Sequence, residues 1–173
     1  SEGKMYNPQV ICFSDIPIED MNIHIKNYSP FGLSFLKSFL IKRGANPVFY
    51  IANNSSINSS LDTNVPRADW FDIMMRVYNH YFNSSENGDF KETQRKDSLN
   101  KFLAGYIFSY IKPFDDQKAD DDPENYYMER EWRTLGNLNF ELKDVYRVYM
   151  PKKYAERFRN DIPNYFGQVS FTD

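Results

Sequence analysis

Short apolar runs broken by polar turns set the pattern of this chain. Residues 9–13, QVICF, form one such run and end in the polar SDIP, which predicts a buried strand entering a loop. Pro17 pushes Ile16 toward extended backbone, so a helix is expected only after it. Met21, His24, Ile25 and Tyr28 then recur at three- and four-residue intervals, the spacing of a short helix that stops near SPFG. In the next stretch Phe31, Leu33 and Phe35 alternate as in a strand. Phe35, Leu36, Phe39 and Leu40 carry helical spacing up to a stop at Gly44, and NPVFYI returns as a strand entered through a proline.

Residues 53–69 are rich in Ser and Asn and have no period, so they read as a connection. Trp70, Phe71, Met74, Met75, Val77, Tyr78, Tyr81 and Phe82 give a helix with a broad apolar surface, capped by Asp69. The polar run 83–98 reads as a mobile link, and 99–114 as a helix or as a helix feeding a strand at FSYIKPF. The acidic segment 115–125 reads as a solvated hairpin or insertion, or as a weak divalent-ion site; it lacks the glycine and glutamate spacing of a calcium loop. YMEREWRTL and DVYRVYMP read as strands, KKYAERFRNDIPNYFG as a helix and a return, and QVSF as the last strand. No period repeats, and strands mixed with short helices predict an α+β fold: a single compact domain over 1–173 with a mixed or antiparallel sheet.

Composition narrows the chemistry. A chain of 173 residues is long enough for one domain with its own core. Aromatic residues reach 17%, with 15 Phe and 13 Tyr, and such side chains either thicken a core or line partner surfaces. A net charge of -3 gives no sign of a nucleic-acid partner. Cys12 is the only cysteine, which excludes an intrachain disulfide, and His24 and His80 lie far apart without a paired-ligand motif, so no metal site is expected. No apolar run reaches the roughly 18 residues of a membrane helix, and the start has no signal-peptide core. The cytoplasm is the expected compartment, with no membrane partner.

Glu129, Arg130, Glu131, Trp132 and Arg133 form the one dense row of ionisable groups beside an aromatic. On a strand, Glu129, Glu131 and Arg133 share one face while Arg130 and Trp132 share the other. Either Trp132 enters the core and the carboxylates line a cleft in which Arg133 holds an anion, or the row is an exposed strand face with an ordinary ion pair. Ser14 and Asp15 end a strand, where they cap a turn or carry function. His24 is either a packing histidine or a donor to a ribose hydroxyl or phosphate, and Tyr50 either a core aromatic or a stacking platform. No nucleophile elbow, dinucleotide fingerprint or phosphate loop is present.

Across residues 10–51 and 110–133, through VICFSDIPIEDMNIHIKNYSPFGLSFLKSFLIKRGANPVFYI, YIKPF and EREWR, with looser similarity in VYMPKKY, the chain resembles the AbiGi-like abortive-infection family of phage-resistance antitoxins. That resemblance implies a binding or regulatory protein of phage defence acting on a toxin or phage protein. Members of the family carry a further N-terminal segment before the CF-DIP element, so the domain is expected to lack part of it. The order of elements is also distantly similar to ADP-ribosyltransferase-like proteins. That second resemblance implies NAD as cofactor, Glu131 as catalytic carboxylate with Glu129 its companion, and Tyr50 as a pocket aromatic. It leaves Arg133, His24, Ser14 and Asp15 as candidate cofactor contacts and a nucleic acid as one conceivable acceptor.

Overall fold

The computed structural model describes residues 9–52, 76–78, 80, 90–119, 122 and 124–173. They fall into two compact units, one made of residues 9–47 with 120–173 and the other belonging to 48–119. The mixture is α+β, as expected; of its sheets one is antiparallel, one mixed and one a parallel pair.

The first unit holds two three-stranded sheets. In one, β1 (Val10–Ser14) and β3 (Asn46–Pro47) flank β6 (Glu131–Leu135), both antiparallel to it. In the other, β7 (Val145–Met150) runs antiparallel to β2 (Gly32–Phe35) and parallel to β8 (Gln168–Phe171). Helices α1 (Met21–Asn27), α2 (Lys37–Lys42) and α4 (Ala155–Asp161) are short, as the brief periodic runs require.

The core of this unit forms on β7. Val145, Val148 and Met150 are buried, with Phe35, Phe158 and Tyr165 packed against them. Val145 and Val148 are three apart, which a regular strand would place on opposite faces. The register slips between Ser34 and Phe35, so β7 carries one extra residue there and both valines turn inward. Phe35 is the junction of an aromatic group, stacked on Phe39 at 5.5 Å and edge-on to Phe140 at 5.0 Å and Phe13 at 6.3 Å.

In the second unit β4 (Phe49–Ala52) pairs in parallel with β5 (Ile111–Phe114). Ile51, Phe108 and Tyr110 are buried, and Tyr78 meets Phe108 edge-on at 5.1 Å. Of the run 83–98 expected to be a mobile link, 83–89 lie outside the described residues and 90–98 belong instead to α3 (Phe90–Phe102). Its Lys, Glu, Gln and Arg residues are strong helix formers arranged without an apolar stripe, so hydrophobic periodicity gave no sign of it. After α3 the chain widens into a π turn at Leu103–Ile107 and then tightens into a 3-10 turn at Phe108–Tyr110 that leads to β5, the helix-then-strand alternative. The expected helix at 70–82 lies largely outside the described residues, although 76–78 are helical.

The acidic segment is not a hairpin, because β5 pairs with β4 while β6 pairs with β1 and β3. Two of its carboxylates cap local turns: Asp115 Oδ1 accepts from Gln117 N at 3.0 Å and Asp122 Oδ1 from Glu124 N at 2.8 Å. Among the described residues no three His, Cys, Asp or Glu side chains converge as metal ligands, and no helix is long and apolar enough to cross a membrane.

Candidate functional site

The charged row does not fold as one strand. Asn125 Oδ1 accepts from Tyr127 N at 3.2 Å and starts a 3-10 turn over Tyr126–Glu129. Arg130 ends it in the left-handed region at φ 45°, and β6 begins only at Glu131. Glu129 is therefore off the strand and does not share a strand face with Glu131, contrary to the alternation read from sequence. The turn is tied to the end of β1, where Asp15 N donates to Glu129 O at 3.2 Å.

Burial is also reversed from the expected arrangement. Glu131 is only 3% exposed, while Trp132 on the opposite face is half-buried, with the Lys37 ammonium 5.6 Å from its ring centre. The reason is cross-strand register: Ser14 lies opposite Glu131, and Cys12 and Asn46 lie opposite Arg133 on the two sides of the central strand β6. Arg133 Nε donates to Glu131 Oε1 at 2.6 Å and Arg133 Nη2 to Glu131 Oε2 at 3.3 Å, a fork that engages both carboxylate oxygens. Burial opposes the charge on Arg133, but the carboxylate outweighs it and raises the guanidinium's pKa. Solvent reaches Cys12, yet partial burial and the adjacent Glu131 carboxylate push its thiol up to about 11.

The remaining candidates partly converge. His24, Tyr28 and Asp20 from α1 and its flanks meet Asn125, Glu129 and Arg130 around a cleft of about 40 Å³. Tyr28 Oη donates a short hydrogen bond to Glu129 Oε1, and burial together with that carboxylate holds the phenol well above the ordinary tyrosine range. The His24 ring lies 4.6 Å from that of Tyr28, and its Nδ1 is buried with no hydrogen-bond partner among the described residues. Burial lowers the His24 pKa, with Glu129 opposing, so the neutral ring is favoured. Ser14 ends β1 and is exposed; Asp15 pairs with Lys37 at 2.5 Å. Tyr50 belongs to the other unit, where it meets Phe114 edge-on at 6.0 Å.

Sequence reasoning left Tyr28 and Asn125 out of the site. The signals were present: Tyr28 is four residues after His24 and so on the same helix side, and Asn125 precedes an aromatic pair as a cap would. Chemically the cluster offers a neutral imidazole, a phenol held protonated and a carboxylate at a small opening, beside a carboxylate–guanidinium pair enclosed in the sheet.

Residues 5–165 match the family described as "Putative abortive phage resistance protein AbiGi, antitoxin", and the chain belongs to that family. It is also 28% identical over 138 residues to the abortive phage resistance protein AbiGi of Lactococcus lactis subsp. cremoris, covering 72% of this chain and 49% of that protein. The chain thus spans about half the length of the curated relative it matches. No solved structure matches it. The distant similarity to ADP-ribosyltransferase-like proteins finds no support in these comparisons.

Proposed function

We propose that the protein is a binding or regulatory component of abortive-infection phage defence that acts by non-covalent contact with a protein partner, a toxin or a phage protein. Membership of the family supplies the setting. The observation that carries the non-catalytic part is the state of Glu131: buried, with both oxygens engaged by Arg133, and outside the lining of the cleft of about 40 Å³ at Glu129. Pockets for drug-sized ligands run to roughly 300 Å³ or more. A carboxylate held this way stabilises the central strand and has no open face toward a dinucleotide.

A second reading is an NAD-using ADP-ribosyltransferase-like enzyme with Glu131 as its carboxylate. It draws on the convergence of His24, Tyr28 and Glu129 around one opening. Phage plating on hosts carrying the protein or Glu131→Gln, at matched abundance, separates the two, together with calorimetric titration of NAD. The binding reading expects Glu131→Gln to retain protection and NAD to give no saturable heat. Protection lost at equal abundance, with saturable NAD binding that Arg133→Ala weakens, would replace it with the transferase reading.

A further inference from the structure

The cleft between α1 and the turn that precedes β6 carries an unbalanced charge. Among the described residues that line it, Asp20, Asp122 and Glu129 stand against one cation, Arg130. Neither Asp20 nor Asp122 has an ion-pair partner among the described residues, and Asp20, placed just before α1, makes no side-chain bond that caps the helix. Glu129 accepts from the neutral hydroxyl of Tyr28. The His24 ring adds no compensating charge, because burial favours its neutral form. The opening is therefore rich in anionic acceptors, and a ligand with a positive charge and several N–H donors satisfies them.

Two further features set this cleft apart from a patch of solvated acid. His24 is part of its wall, and the ring's Nδ1 is buried with no hydrogen-bond partner among the described residues, a state that few polar atoms of folded proteins keep. Arg130 is held at φ 45° by Asp15 N, which donates to both Glu129 O and Arg130 O, and left-handed backbone at a residue with a Cβ gathers at ligand sites. Size and aromatic surroundings then select the cation. A cleft of about 40 Å³ admits a head group of a few heavy atoms and no nucleotide. The Tyr28 ring is 60% exposed, and Tyr126 and Tyr127, on the turn that bears Glu129, are about half exposed. A planar guanidinium stacks on such rings while its fork meets carboxylates, and arginine is among the residues that anchor protein interfaces. We infer that the cleft is an arginine-binding site: the guanidinium of an arginine on the protein partner enters among the Asp20, Asp122 and Glu129 carboxylates, with Tyr28 as its aromatic wall. The inference rests on the reading of this protein as one that binds another protein, and it names the chemistry of that contact.

Titration of the isotope-labelled whole chain with N-acetyl-arginine amide, followed by amide chemical shifts, tests it, with N-acetyl-citrulline amide as an uncharged probe of the same outline. Saturable shifts are expected at Tyr28, Asn125 and Met128–Arg130, with a Kd on the order of millimolar for so small a fragment, and none with the citrulline probe. Asp20→Asn combined with Glu129→Gln is expected to weaken binding about tenfold. Arg130→Ala, which removes the competing cation, is expected to strengthen it about threefold, the scale of partly exposed charge pairs. Loss of fold does not produce a gain of affinity. Asp20 is exposed and a glutamine at 129 still accepts from Tyr28, so the double variant keeps the melting temperature of wild type. In the plating assay it is expected to lose protection at equal abundance. Absence of shifts, equal binding of the citrulline probe, or unchanged affinity in the double variant overturns the inference. Arginine binding with full protection in the double variant overturns it too, since the site then does not serve the partner. In each of those cases Glu131→Gln still decides the binding reading by itself, because protection retained there leaves that reading standing with its contact elsewhere.

Discussion

A carboxylate buried in a sheet persists only where its charge is met, and Glu131 meets it through the guanidinium two residues along its own strand. Removing Arg133 leaves that charge without its fork, and Arg133→Ala is expected to cost about 3 kcal/mol, the scale of breaking a buried pair. Glu131→Gln should cost less, since a neutral amide still accepts a hydrogen bond and Arg133 keeps a route to solvent. Chemical denaturation of the two variants checks the order; an equal loss in both would mean that the pair acts by packing alone. The same substitution has a chemical readout at Cys12. A thiol raised from 9.0 to about 11 has only about one hundredth of the ordinary thiolate fraction at neutral pH. Glu131→Gln removes one of the influences raising it, so alkylation at fixed pH is expected to quicken while burial keeps it slower than in a free thiol. At this scale the identity of the residues was legible, because Glu131 and Arg133 are the right distance apart to share a strand face. Their burial was not, because it depends on the strands that flank β6.

Elements with strong local signals formed where the pattern placed them. The stop after α2 is a Schellman ending: Gly44 N donates to Ile41 O at 3.0 Å and Ala45 N to Leu40 O at 3.0 Å, with Gly44 at φ 84°. A Cβ at Gly44 meets only the Thr134 hydroxyl at 3.9 Å, so the obstacle to substitution is backbone conformation and not space. Gly44→Ala is expected to lower stability by about 1–2 kcal/mol, the cost of a left-handed conformation for an ordinary residue, measured by thermal unfolding. Two elements went against the pattern for opposite reasons. Helix α3 has propensity without amphipathic period, and the turn before β6 has apparent alternation without strand geometry. In the second case the Asn125 cap and the backbone link from Asp15 to Glu129 prevailed over the alternation of Tyr, Glu and Arg.

For the whole molecule the decisive fact is that β6, from the second half of the chain, is the middle strand between β1 and β3 from the first. Among the described residues every strand pairing of the unit formed by 9–47 and 120–173 is made inside it. Replacing 48–119 by a flexible Gly/Ser linker is therefore expected to leave a protein with strand-rich circular dichroism and a cooperative melt. A gradual, non-cooperative melt would show that the two sheets need more than their own pairings. The apolar and polar alternation by itself determined the α+β mixture, the short helices and the positions of most strands, since those follow from local periods of two and 3.6 residues. Only the tertiary structure decided which strands became neighbours, that Glu131 is enclosed while Trp132 is half open, and that His24, Tyr28 and Glu129 share one cleft. Each of those depends on residues about a hundred positions apart meeting through register, and no local period encodes register between distant segments.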